Sequence, residues 1–203
     1  LNLNNCGIGV PGGKAIGEAL QLGIAVLTTL DLRLNKIGKD GAVAIADALK
    51  SGKAVLTDLN LMYIQIGPEG AKAIAEALGS GSAVLTSLNL FQNSIGPEGA
   101  KALAKALGSG KAVLTSLDLS SNNLTNRGRD MSGILAIAEA LKSGMAVLTS
   151  IDVGYNGIGK EQALSLVSIF KEKDLMKSVG LAGCDLGAKA VADFGAMGAK
   201  AVA

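Results

Sequence analysis

The stretch "LTTLDLRLNKIG", Leu27 to Gly38, returns as "LTDLNLMYIQIG" (56–67), "LTSLNLFQNSIG" (85–96), "LTSLDLSSNNLT" (114–125) and "LTSIDVGYNGIG" (148–159). A degraded copy, "MKSVGLAGCDLG" (176–187), follows them, and the chain opens inside another, "LNLNNCGIG" (1–9). Aligned on one leucine, the copies fall at Leu1, Leu30, Leu59, Leu88, Leu117, Ile151 and Val179, in steps of 29, 29, 29, 29, 34 and 28 residues. A fixed period of this length marks a stacked array, whose unit can bury its apolar face only against its neighbours.

Each copy changes its own period midway. Leu30 and Leu32 alternate with Asp31 and Arg33, the two-residue rhythm of a strand with one face buried. Ala42, Ile45, Ala46 and Leu49 then recur at i, i+3, i+4 and i+7, and the same offsets return at Ala71 and at Ala100. Alanine on such a stripe lets a helix lie close to the strand behind it. Pro68 and Pro97 stand where a helix begins and a missing N–H costs nothing. "SGKAV" and "SGSAV" supply the glycine that ends it. Stacking such strand–helix units predicts an α/β right-handed solenoid shaped as a horseshoe, with a parallel β-sheet on the concave face and helices on the convex face.

The pattern LxxLxLxxNxIGxxGAxxIAxAL resembles the leucine-rich repeat, specifically the long-repeat subfamily typified by ribonuclease inhibitor. Similar repeats occur in the Ran GTPase-activating protein and in NOD-like receptors. The resemblance covers nearly all 203 residues, and residues 1–203 read as a single domain of about seven repeats. The opening at Leu1 and the helix pattern still running through "GAKAVA" (198–203) read as a fragment of a longer array. The resemblance implies an architecture and leaves the partner unspecified.

Hydrophobic residues make up 49% of the chain and aromatics only 2%, so the core must be aliphatic. There is no histidine, which removes the commonest general base and transition-metal ligand. A formal charge of +2, with lysines spread along the chain, does not describe a nucleic-acid surface. No apolar run reaches the about 18 residues of a membrane span. No cofactor or metal is expected.

Four motifs are weighed and set aside. Gly7, Gly9 and Gly12 spell GxGxxG, but Gly9 and Gly12 are the array's own glycines, matching Gly38 and Gly41. Cys6 and Cys184 occupy the slot that holds Asn35, six strands apart, too far to pair and expected as buried thiols. Asn123-Leu124-Thr125 is a glycosylation sequon without a sign of secretion. Asp31, Asn60, Asn89, Asp118 and Asp152 form a column that lacks the oxygen ligands a hard cation needs.

With Leu30 and Leu32 inward, Asp31 and Arg33 face out of the sheet. The next copies put Asn60 and Met62, then Asn89 and Phe91, in the same columns, with Tyr63 and Tyr155 one residue further on. Strands sit about 4.8 Å apart, so Met62 should neighbour Phe91 on one side and Arg33 on the other. Three of the five aromatics thus fall on or beside this surface. Asp31, Arg33, Asn60, Met62, Tyr63, Asn89, Phe91 and Tyr155 are the candidate contact residues. In the asparagine slot, Ile64 drops one link of a side-chain ladder, costing about 1–3 kcal/mol if its groups stay dry. The extended copy inserts a loop, Thr125 to Ser132, which projects Arg127, Arg129 and Asp130 and whose Gly128 and Gly133 suggest mobility.

The expected function is a protein–protein interaction module that binds a protein partner on its concave face, in the cytoplasm, without catalysis of its own. The alternatives are a regulator of an enzyme, GTPase-activating or nuclease-inhibiting, and a sensor segment of a larger receptor. Oligomeric state stays open.

Overall fold

A computed structural model of the chain describes residues 1–23, 26–143, 145–173, 176–184 and 186. The helix pattern at 198–203, and Asp185 and Gly187 of the degraded copy, lie outside the described residues. Six strands and six helices alternate. They run α1 (Val10–Gln21), β1 (Thr29–Asp31), α2 (Gly38–Lys50), β2 (Asp58–Asn60), α3 (Gly67–Ser80), β3 (Ser87–Asn89), then α4 (Gly96–Gly108), β4 (Ser116–Asp118), α5 (Ser132–Lys142), β5 (Ser150–Asp152), α6 (Lys160–Lys171) and β6 (Ser178–Gly180). The strands form one open parallel sheet in sequence order. Its register steps by one repeat, Leu30 opposite Leu59, Leu59 opposite Leu88, and Leu117 opposite Ile151 across the extended copy. This is the α/β right-handed solenoid that the periodicity predicts, sheet on the concave side and helices on the convex side. The opening copy joins it through an isolated bridge from Asn2 to Asp31.

The core is a continuous aliphatic column. Leu30, Leu32, Ile45 and Leu49 are fully buried, as are their counterparts one repeat on. Helix ends are tied in two ways. At the start, Gly38, Gly67 and Gly96 take φ near +65° and donate their N–H to the carbonyls of Ile64, Asn93 and Asn122 in the next copy. Glycine takes that backbone conformation without a Cβ clash. At the finish, Ser51, Ser80, Ser109 and Ser143 donate their hydroxyls to carbonyls three residues back.

Small residues set the helix spacing. A Cβ on Gly17 of α1 would lie 2.5 Å from the Ala44 carbonyl carbon of α2, and one on Gly99 would lie 2.9 Å from Ala71 Cβ. Of the glycines that spell GxGxxG, a Cβ on Gly7 would meet nothing within 4 Å, and one on Gly9 or Gly12 would meet only Pro11 or Ile8 of its own turn. Helix α6 breaks the trend. Val167 stands in its stripe where α2 and α3 carry Ala46 and Ala75, and α6 packs less extensively on α5 than the earlier helices pack on one another.

Candidate functional site

The outward column nearest the strand ends is a set of turn-forming side chains. Asp31 Oδ1 accepts the Arg33 N–H at 3.1 Å, Asn60 the Met62 N–H at 3.1 Å, Asn89 the Phe91 N–H at 2.9 Å, Asp118 the Ser120 N–H at 2.9 Å and Asp152 the Gly154 N–H at 2.8 Å. Each bends the chain out of its strand by bonding an amide two residues on. The column is thus explained by backbone geometry. Among the described residues, no group of three or more acidic, His or Cys side chains is placed to hold a metal. Burial pushes the Asp118 carboxyl above its ordinary value, Ser120's hydroxyl and amide pull it back, and Asp152 adds to the rise.

Two residues past the column, the register sets Arg33, Met62 and Phe91 side by side, because Leu34 N–H bonds the Met62 carbonyl and Tyr63 N–H the Phe91 carbonyl. Arg33, Met62 and Phe91 are half-buried. Arg33 Nε lies 3.2 Å from Asp31 Oδ2, an ion pair held by proximity because the N–H does not aim at the oxygen. Tyr63 does not fold back onto the core: it is 45% exposed, and Tyr155 is 65% exposed. Both stand in the left-handed region, at φ 55° and 53°. The slot demands that conformation in every copy, through Asn5, Leu34, Gln92, Ser121 and Gly183 as well. For a bulky L-residue it costs roughly 1–2 kcal/mol. Leu34, 41% exposed at φ 57°, extends the apolar rim beside Tyr63 and is absent from the sequence-derived set. The recurrence of Asn, Ser and Gly in its slot is the signal that singles it out.

A family model described as Leucine Rich repeat matches residues 1–17, 25–46, 53–75, 81–104 and 111–131, together more than half of the chain. The chain belongs to the leucine-rich repeat family. Among curated proteins, none matches it. The matches end within the extended copy, yet β5 and β6 continue the same sheet in register. Leucine-rich repeats generally mediate contacts between proteins and are typically non-enzymatic. Among the described residues, no helix is long and apolar enough to cross a membrane.

Three expectations change in this leucine-rich repeat chain. Cys6 is exposed, unlike the buried Asn35, Asn93, Asn122 and Asn156 in the same slot. Cys184 is half-buried, and burial, with Asp152 adding, raises its thiol to about 11. The inserted loop is tied down rather than loose. Thr125 is fully buried, its hydroxyl donating to the Asn156 carbonyl and accepting the Gly128 N–H at 2.9 Å. Asn123 Oδ1 accepts the Arg127 N–H, and Asp130 accepts the Ser132 N–H where α5 begins. Ser132's hydrogen bonds hold the Asp130 carboxyl below its ordinary value. Gly133 is no hinge: it is buried in the first turn of α5, where a Cβ would meet Leu124 O at 2.8 Å and Pro97 Cα at 2.9 Å. In the sequon, Asn123 is exposed but the Thr125 hydroxyl is committed inside the turn. Arg127 and Arg129 project to solvent.

A further ladder went unseen in the sequence. Thr86, Thr115 and Thr149 each donate a hydroxyl to the carbonyl of the threonine one copy earlier, while the Thr57 hydroxyl is shared between the Thr28 carbonyl at 3.2 Å and Asp58 Oδ2 at 2.7 Å. The repeated "LT" encodes it, yet its partner is only visible once the register is known.

Proposed function

We propose that this chain is a protein-binding module whose concave sheet face receives a protein partner, centred on Met62 and Phe91. Tyr63, Asp31, Arg33, Asn60, Asn89 and Tyr155 surround that centre. The observation that carries the reading is Tyr63: a large aromatic left 45% exposed in a left-handed slot that Asn, Ser or Gly would fill with less strain. The fold gains nothing from that choice, whereas aromatic side chains often dominate binding energy. Met62 beside it adapts to varied partner shapes. The repeat length and the "GAxxIAxAL" helices further favour the ribonuclease-inhibitor-like subfamily, in one repeat domain. Two unpaired cysteines, one of them exposed, suit a reducing compartment such as the cytoplasm. No step of chemistry is assigned to the chain.

The test is the double variant Met62→Ser/Phe91→Ser. Affinity capture with the native chain, followed by direct titration of the captured protein, should show binding that the double variant loses. Because both side chains lie on the surface of the sheet, the melting temperature should move by only about 2 °C. Binding that survives in a variant whose stability has collapsed would overturn the reading.

A further inference from the structure

The outer face of the sheet divides into two halves of different chemistry. Toward β1–β3 it is apolar, with Met62 and Phe91 on the face and Leu34 and Tyr63 on the rim. Toward β4 and β5 the bulk disappears: Ser120 and Gly154 take the slots of Met62 and Phe91, and both are buried. Above that low floor stand Asp118 and Asp152, directly opposite one another in the register. Like charges in that relation repel.

The two halves also differ in how their carboxylates are compensated. Asp31 has Arg33 beside it, and Asp58 Oδ2 accepts the Thr57 hydroxyl at 2.7 Å. Asp118 and Asp152 use only Oδ1, on the amides of Ser120 and Gly154 and on the Ser120 hydroxyl. Neither has an ion-pair partner among the described residues. Nor does the turn need their charge, since Asn60 and Asn89 do the same bonding in β2 and β3. In the outward columns of β1 to β6, Arg33 is the one cation against four carboxylates, in a chain whose overall charge is +2. The face is therefore opposite in sign to the molecule that carries it.

We propose, building on the binding role assigned to this face above, that its occupant is a basic segment of a protein partner. A bulky apolar side chain of that segment sits on Met62 and Phe91. A lysine or arginine lies over the Ser120–Gly154 floor and pairs with Asp118 and Asp152. The two contacts are separated by two strand steps, about 10 Å, which an extended segment spans in about three residues. Tyr155 stands at the rim of the cationic end, where an aromatic ring favours a cation. Charge complementarity sets orientation and encounter rate, and the apolar end anchors the complex.

The probe is a library of random peptides displayed on phage and selected on the immobilised chain, with the selected sequences synthesised and titrated. Each is measured against the native chain, Met62→Ser/Phe91→Ser, and Asp118→Asn/Asp152→Asn. The last variant keeps the turns, because asparagine already occupies that slot in two copies, and a melting curve for each variant checks this. The expected outcome is peptides combining a bulky apolar residue with Lys or Arg. Their affinity should fall about tenfold or more in either variant, and fall with added salt in the native chain. Peptides lost in Met62→Ser/Phe91→Ser but indifferent to Asp118→Asn/Asp152→Asn overturn the basic occupant and leave the binding face standing. Basic peptides without an apolar residue, sensitive to the aspartates alone, overturn the two-part arrangement. Binding that survives both variants overturns the face itself.

Discussion

At Ile64 the asparagine ladder has a gap whose cost can be assigned to particular atoms. Asn93 Oδ1 accepts the N–H groups of Ile64 and Ile66, and Asn122 Oδ1 those of Asn93 and Ile95. By the same spacing, a side chain at 64 would accept from Asn35 and Ile37. Those two buried amides find no acceptor among the described residues. The carbonyls on the donor side fare better: Leu32 O is reached by Asn35 Nδ2, Leu61 O by Asn93 Nδ2, and Met62 O by the Leu34 N–H. The lapse therefore falls on two donors, each costing about 1–3 kcal/mol when dry. Fully burying isoleucine returns about 1.5–3 kcal/mol of that. Ile64→Asn should accordingly stabilise the chain by about 1 kcal/mol and raise its melting temperature by about 2–4 °C. A fall of that size would mean the aliphatic contacts outweigh both amides.

Among the elements, α5 shows how an insertion is absorbed without loosening the array. The longer copy spends its extra residues on a turn locked by Thr125, Asn123 and Asp130, and the helix then resumes the stripe with Ile134, Ile137 and Leu141 buried. Its entry depends on Gly133, which lies between the Leu124 carbonyl and the start of α4. Backbone atoms on both sides cannot step aside as a flexible side chain would. Gly133→Ala should therefore destabilise by about 1–3 kcal/mol through overpacking, despite alanine's advantage of about 1 kcal/mol within a helix. The urea midpoint, with an unchanged slope, is the measurement. A midpoint that rises would show that α5 can shift outward freely. The sequence displays this glycine as the counterpart of Gly99 but also as a loop residue, and only its neighbours decide between the two.

For the molecule as a whole, the architecture was legible because two periods, two residues and then 3.6, alternate at a fixed interval and leave one way to bury the leucines. The candidate face followed from the same alternation, down to the neighbour relations of Arg33, Met62 and Phe91. What escaped was everything set by contacts across copies: the threonine ladder, the tied loop, and the left-handed slot that Leu34 and Tyr63 disguise. The exposure of Cys6 escaped for a related reason, since a repeat pattern assigns every copy the same surroundings. The copies are not equivalent, and this sets how the array should open. Leu61, Ile66, Ile74 and Leu85, in the middle, are fully buried, whereas Leu3 and Ile8 of the first copy and Ile16 of α1 are only partly covered. Before β6, α6 carries bulkier residues on its stripe and packs less extensively on α5. In a stack where each unit contacts only the next, the sparser interface between α5 and α6 marks where the array opens most readily. Amide hydrogen exchange should thus be slowest in α3 and α4 and at least about tenfold faster in α6, a difference of about 1.4 kcal/mol in local opening. Equal protection in α6 and α3 would show instead that the copies open together as one cooperative unit, with the core column outweighing the sparser packing of α6.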